Sequence, residues 1–414
     1  MSNPVGPAEP APPPPRPESI RIRRGTPAYA RINWALFLSG YAVFSQIYCT
    51  QPLLPLLAEH FGVGAAESSL ALSLTTAFLA ISIFVTGALS ESIGRKKLMF
   101  ASLVAAAVLE LAAAFAPTWH LLLVVRALEG VALGGAPAVA MAHLAEEIEP
   151  AGLGTAMGLY IGGNALGGMA GRVFTGLVAE VADWRMALAV IGGLGLASAI
   201  GFLVLLPPSR NFTPRPARPL SAHLATWGRH LANPALALTF TIGFLAMGGF
   251  VTTYNYVGFR LAEPPFELGQ AAVGSIFVVY LFGILASPIA GRAADRFGRA
   301  PVIVGGTALS VLGLLVTLPA SLVAVVAGIA LLTAGFFAAH AAASGWIGLL
   351  ARTDLGHASS LYLLAYYLGS SVAGSLGGLP WTHGGWGAVV GFVAALHAAA
   401  LVAALLLGRI TRKS

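Results

Sequence analysis

The chain has 414 residues, of which 57% are hydrophobic and 9% charged, and its formal net charge is +7. A soluble domain carries about 25% charged residues, so this chain cannot cover a water-facing surface, and no stretch is polar enough to form a large soluble domain beside a single anchor. At about 20 apolar residues per span plus a turn, the chain beyond its leader has room for roughly twelve membrane-crossing helices.

In chain order, residues 1–30 form a Pro-rich and then Arg-rich leader, PAEPAPPPPRPESIRIRRG. It lacks the apolar core and small-residue cleavage site of a signal peptide, and its composition is that of a disordered segment. Apolar spans follow near 32–57, 67–89, 97–116, 119–145, 153–180 and 186–206. A second set lies near 234–260, 270–290, 301–318, 321–350, 357–380 and 387–408. A polar loop at 207–233, carrying Arg210, Arg215, Arg218 and Arg229, separates the two sets, and a basic tail, 409–414, closes the chain.

With the N-terminus placed inside, two of the 23 Lys and Arg (Arg185 and Arg260) fall on the outer side and two (Arg126 and Arg172) within spans, leaving 19 on cytoplasmic segments. This is the positive-inside pattern. The basic balance therefore reports orientation, with both termini cytoplasmic, and contact with anionic lipid; no nucleic-acid module is expected. Cys49 stands alone, can form no intrachain disulfide, and reads as a small buried residue.

Equal sets of spans, residues 31–206 and 234–408, point to a duplication, and the repeat is present. Gly87, Glu91, Gly94 and Arg95 after the second span match Gly291, Asp295, Gly298 and Arg299 after the eighth, at an offset of 204. At an offset of 202, Tyr160, Gly167, Gly176 and Trp184 match Tyr362, Gly369, Gly378 and Trp386. Parallel six-span halves imply a site near the midplane between them and alternating access by rocking.

The two loops resemble the GxLxDRxGRRx signature of the major facilitator superfamily, and the resemblance covers residues from about 25 to 410. The second copy is close to ideal, whereas the first has Glu91 for the usual Asp and Ser92 for the usual Arg. The resemblance implies an all-α membrane protein, with twelve transmembrane helices in two pseudo-symmetric six-helix halves. It implies that Glu91 caps the eleventh span near Gly356 to Ser360 and Asp295 the fifth near Ala151 to Gly154, because a helix N-terminus favours negative charge. Arg95 and Arg299 would complete a cytoplasmic clamp, with Glu146, Glu147 and Glu149 as partners for Arg296 or Arg299 in the gating set.

Arg126 to Gly130, followed by Gly134, resembles the fourth-span RxxxG motif of proton antiporters in this superfamily. Gly158 to Gly168 resembles the fifth-span antiporter motif GxxxGPxxGG, with Asn164 in place of the Pro; Gly163, Gly167 and Gly168 would let helices approach and slide. Pro52 and Pro55 fit the drug:proton antiporter branch. The strings GLYIGGNALGGMAGR, GFFAAHAAASGWIG and ASSLYLLAYYLGSS look like the YnfM family of bacterial inner-membrane transporters.

Ionisable groups inside spans cost about 2.5–3.5 kcal/mol each, so each is a functional candidate. Arg126 and Glu129 lie three residues apart on one helix face and can pair; the functional reading is that Glu129 carries a proton and Arg126 switches its salt bridge. His340 is a third proton-coupling candidate. Glu110, on a span that packs outside the bundle in this superfamily, reads as a structural partner for a neighbouring polar group. Arg172 reads either as a cavity cation or as a closing group at the outer mouth. Gln46, Asn164, Tyr254, Asn255, Tyr256, Tyr280, Tyr366 and Tyr367 complete the cavity candidates, an aromatic set suited to amphipathic organic molecules.

There is no GxxxxGK[ST] phosphate loop, no HExxH helix and no His/Cys cluster at metal spacing, so neither an ATP-driven pump, an enzyme, a metal nor a cofactor is expected. The expectation is a monomeric secondary transporter of the bacterial inner membrane that exports a small organic compound in exchange for protons. A facilitator or importer of an organic anion is the alternative, because Arg126, Arg172 and His340 outnumber the acids in the cavity; a non-transporting sensor on the same fold is remote.

Overall fold

The computed structural model describes residues 21–212 and 219–413, with the backbone alone described at 87–93, 220 and 413. The first half runs α1 (Pro27–Tyr48), α2 (Leu54–Phe61), α3 (Ala65–Ser68), α4 (Leu70–Ile93), α5 (Arg95–Ala114), α6 (Trp119–Leu133), α7 (Gly135–Glu147), α8 (Pro150–Val181) and α9 (Trp184–Leu205). A connecting helix, α10 (Leu220–Ala232), leads to α11 (Pro234–Ala262), α12 (Gln270–Ser275), α13 (Tyr280–Phe297), α14 (Arg299–Val316), α15 (Leu322–Leu350), α16 (Leu355–Leu376) and α17 (Gly378–Lys413). Several crossings are composite: α3 with α4, α6 with α7, and α12 with α13, the last joined by a 3₁₀ turn at Ile276–Val279. Helix α17 breaks at Gly384 and Gly385. Counted in this way the described residues make twelve crossings, six on each side of α10.

Side-chain caps begin many of these helices. Thr26 accepts from the Tyr29 amide, Asp183 from the Met186 amide, and Asn233 from the amides of Ala235 and Leu236, each satisfying donors that the first turn leaves open. Among the described residues, nine crossings are long and apolar enough to traverse a membrane by length and composition alone. The other three, α1, α8 and α16, carry more Gly, Ser, Tyr and Asn, because much of their surface is packed against protein. Gly163 and Gly167 of α8 lie against the backbone of Phe37 and Tyr41 of α1, so closely that a Cβ on either would overlap it. In the second half Gly369 of α16 meets the backbone of Phe244 of α11 in the same way. Gly40 against Tyr160 and Gly243 against Tyr362 are a further matched pair. The repeat read along the sequence is thus a repeat of helix contacts.

Both ends of the described chain and the central connection lie on one face, the termini face; the opposite face is called the far face. The signature glycines Gly94 and Gly298 turn the chain between α4 and α5 and between α13 and α14 with φ of 94° and 88°, a left-handed region that costs glycine least. On the far face the halves meet at two pseudo-equivalent points. Gly176 of α8 abuts Gly274 of α12, where an added Cβ would sit 2.7 Å from the Gly274 Cα, and Gly378 of α17 abuts Ala66 of α3. Toward the termini face, by contrast, Gly154, Gly158 and Gly162 on α8 and Gly291 on α13 face open space.

Two segments differ from expectation. The leader is not free up to residue 30, because Ile22 bridges to Ile148 and its backbone bonds Glu147 and Glu149, while Arg23 pairs with Glu149 at 3.0 Å. The polar central loop contains α10, which touches both halves. Trp227 stacks on Phe84 of α4 at 3.7 Å between centroids, and His223 bonds His357 of α16 at 2.9 Å.

Candidate substrate and coupling site

The most concentrated charge inside the bundle lies wholly within the first half. Arg126 on α6 donates from one nitrogen, Nη1, to Glu110 Oε2 on α5 and to Glu129 Oε2, both at 2.6 Å. Its other donors are also used: Nη2 reaches the Gln46 and Ile47 carbonyls at 3.1 and 3.2 Å, and Nε the Ala71 carbonyl at 3.2 Å. All three charged side chains are fully buried, and the Cys49 thiol lies 3.2 Å from Glu110 Oε1. The cluster therefore ties α1, α4, α5 and α6 together around one guanidinium. Helix α15 begins 203 residues after α6, which places buried Ile329 where Arg126 stands, so the second half has no copy of it.

Glu110 corrects the sequence reading in part. It is a structural partner as expected, but its partner is Arg126 itself, so it belongs to the cluster. The intervening chain between α5 and α6 hides this, since residues 16 apart share no helix face. Glu129 Oε1 has no hydrogen-bond partner among the described residues. Two carboxylates against one cation carry a net negative charge out of water, an expensive state; a single shared proton makes the cluster neutral.

Between the halves lies a tyrosine-rich centre. Tyr366 of α16 neighbours Tyr362, Tyr367 and His340 in its own half and is within electrostatic range of Tyr48 and Tyr280; Tyr367 is likewise near Tyr48 and Tyr160 of the first half. His340 is half-buried, bonds the Tyr362 hydroxyl through Nδ1 at 2.9 Å, and stacks on Phe336. Among the described residues no group of three or more His, Cys, Asp or Glu is placed to hold a metal ion.

Arg172 roofs this centre on the far-face side. Its guanidinium lies 4.0 Å from the Tyr48 ring centroid, 4.7 Å from that of Tyr280 and 5.0 Å from that of Phe277. It also donates to Gln51 Oε1 at 2.7 Å and to the Gly168 carbonyl at 2.6 Å. Gln51 in turn donates to Asn255 Oδ1 at 2.7 Å, so an unbroken chain of bonds runs from α8 to α11 across the halves. Among the described residues no carboxylate pairs with Arg172; aromatic faces and amide oxygens hold it. Glu180 of α8 adds a cross-half bond that sequence reading missed, accepting from the Ala271 amide at the start of α12 at 3.0 Å. A lone acid at a helix end carries no signal in sequence until the partner helix is placed.

Several cavity candidates lie elsewhere. Gln46 points away from the centre, packing on Gly195 of α9 and bonding the Ala42 carbonyl; its helix position was right but its face was not. Tyr254 backs the centre: its ring packs on those of Phe277 and Tyr280 at 5.0 and 5.2 Å between centroids, while its hydroxyl lies 2.7 Å from Thr333 Oγ1 inside the second half. Tyr256 bonds the Gly374 carbonyl at 3.0 Å. Asn164 fills the α1/α8 groove beside Gly40.

The expected termini-face clamp is not formed by the described residues. Asp295 is exposed, and no side chain caps the first turn of α8 among the described residues. Arg296 stacks on Phe297, its own neighbour, and Arg299 lies beside Gly345 at the end of α15. Glu146 bonds Arg95, Glu147 binds Ser209 and the Arg210 and Asn211 amides, and Glu149 binds Arg23, so all three acids are engaged with the first half or the segments that flank it and not with Arg296 or Arg299. Of Gly87 and Glu91 only the backbone is described, so the expected cap by Glu91 lies outside the described residues.

Comparison with known proteins agrees with this architecture. The family description Major Facilitator Superfamily matches residues 36–269 and 261–414. The chain is 47% identical over 387 residues to the inner membrane transport protein YnfM of Escherichia coli (strain K12), covering 94% of this chain and 92% of that protein. It is 45% identical over 372 residues to the uncharacterized MFS-type transporter YybF of Bacillus subtilis (strain 168), covering 90% and 92%. Among solved structures it is similar to a point mutant of the nucleoside transporter NupG, with a TM-score of 0.73 at 12% identity over 92% of this chain and 99% of that one. The chain is a multi-pass membrane transporter and belongs to the major facilitator superfamily.

Proposed function

We propose that the protein exports a small amphipathic organic compound across the bacterial inner membrane in exchange for protons, by alternating access, with the termini face cytoplasmic. The observation that carries this reading is the Arg126 cluster: two carboxylates on one guanidinium nitrogen, all fully buried. In such a place a proton decides whether the cluster is neutral or negative, and rearrangement of α1, α4, α5 and α6 around Arg126 exchanges the proton with one side or the other. Tyr48, Tyr280, Tyr362, Tyr366 and His340 offer aromatic walls with few polar groups, which suits amphipathic cargo. The test is export from proteoliposomes under an imposed pH gradient. Transport should cease when a protonophore collapses the gradient; export that persists would overturn proton coupling.

A second reading, entry or facilitated passage of an organic anion, rests on Arg172, a buried cation with no carboxylate partner among the described residues. Uptake that follows the solute gradient alone, unaffected by pH, would favour it.

A further inference from the structure

A cavity of about 600 Å³ opens on the termini face, away from the centre between the halves. It is bounded by the end of α10, the start of α11 and the ends of α15 and α17, and its lining contains Arg229, His230 and Arg352 but no acid. Arg229 uses only Nη2, toward Thr226 at 3.1 Å and Asp354 at 3.3 Å; its Nε and Nη1, and the whole guanidinium of Arg352, bond nothing among the described residues. His230 is 7% exposed, and its Nε2 has no hydrogen-bond partner among the described residues. The remaining wall is apolar, with Trp346, Leu349 and Leu350 on α15 and Ile410 on α17. Leu231 and Leu349 are 55% and 63% exposed beside it, and Leu224 and Leu231, seven residues apart on α10, present one apolar face outward, as on a helix lying at a membrane surface.

The Arg352 guanidinium without a bond among the described residues, an Arg229 guanidinium that keeps Nε and Nη1 free beside its ion pair with Asp354, and a buried His230 Nε2 without a partner among them, next to an exposed apolar wall, match an amphiphile with a negative head. We propose that this cavity binds the phosphate headgroup of an anionic phospholipid, with Arg229 and Arg352 donating to the phosphate oxygens, His230 beside it, and the acyl chain lying along Leu349 and Ile410. The site tethers α10, which also touches α4 and α16, to the lipid surface.

Native mass spectrometry of the full-length protein in detergent tests this. Phosphatidylglycerol should be retained at concentrations where phosphatidylcholine is lost, and inorganic phosphate at millimolar levels should not displace it. Equal retention of the two lipids overturns the proposal, and so does displacement by inorganic phosphate, which would assign the site to a soluble anion. Arg229→Gln combined with Arg352→Gln should weaken phosphatidylglycerol binding roughly tenfold or more, whereas Arg409→Gln combined with Arg412→Gln, on the basic tail outside the lining, should not. Equal loss in both pairs would indicate only diffuse attraction to anionic lipid and would count against a built site. The comparison of wild-type lipids decides the matter even where a variant proves unstable.

Discussion

Arg126 bonds two acids and three carbonyls with one planar group, and this sets what each substitution at the cluster does. Removing the cation, as in Arg126→Met, leaves two carboxylates buried without compensation and should cost about 3–5 kcal/mol; a thermal melt of the purified protein reads this directly. Arg126→Lys keeps the charge but not the five-donor fork, so we expect folded protein with transport reduced at least tenfold. Glu129→Gln makes the cluster neutral without a proton, and predicts a stable protein that still exchanges substrate down its gradient but no longer concentrates it under a pH gradient. Retained proton-driven transport in Glu129→Gln and also in Glu110→Gln would remove the cluster from the coupling step. Spacing alone identified Arg126 with Glu129. Glu110 was visible only as an isolated intramembrane acid, because its partner lies on another helix.

At the scale of elements, small residues act at helix crossings. Gly163 and Gly167 were read as sliding points, and they lie where α8 packs on α1 inside one half; the cross-half contact is made by Gly176 with Gly274. A side chain at Gly176 has no room while the far face is closed, so Gly176→Val should hold the halves apart there and lower transport about tenfold or more while leaving helix content unchanged by circular dichroism. Wild-type turnover in that variant would show that the far face does not need to close this tightly. Glu180 makes a similar point from the electrostatic side. Its carboxylate caps α12 across the halves, a contact worth about 0.3–1 kcal/mol at a helix N-terminus, and Glu180→Gln should make far-face cysteine probes more reactive. The glycine pattern was legible because close packing leaves a compositional trace, whereas α10 was not, since an interfacial helix resembles a polar loop when only charge is counted.

For the whole molecule, the far face is held by Gly176, Glu180 and the Arg172, Gln51 and Asn255 chain, while Asp295 on the termini face is exposed and unbonded among the described residues. The described arrangement is thus the far-closed one, and a loop signature that acts as a clamp would engage in the opposite arrangement. Asp295→Asn is accordingly expected to leave the melting temperature of this state unchanged while lowering turnover severalfold in a transport assay; unchanged turnover would mean that the second signature loop does not gate. The sequence by itself determined the lipid solvent, the twelve crossings, the duplication and the short set of buried ionisable residues, because hydropathy, charge placement and glycine spacing are local quantities written along the chain. Only the tertiary structure decided that Glu110 joins Arg126, that Gln46 turns away from the centre, and that Arg172 is held by aromatic rings in place of an acid. Those outcomes depend on which helix faces meet across tens of residues, and a side chain's direction is settled by its neighbours rather than by its own position in the chain.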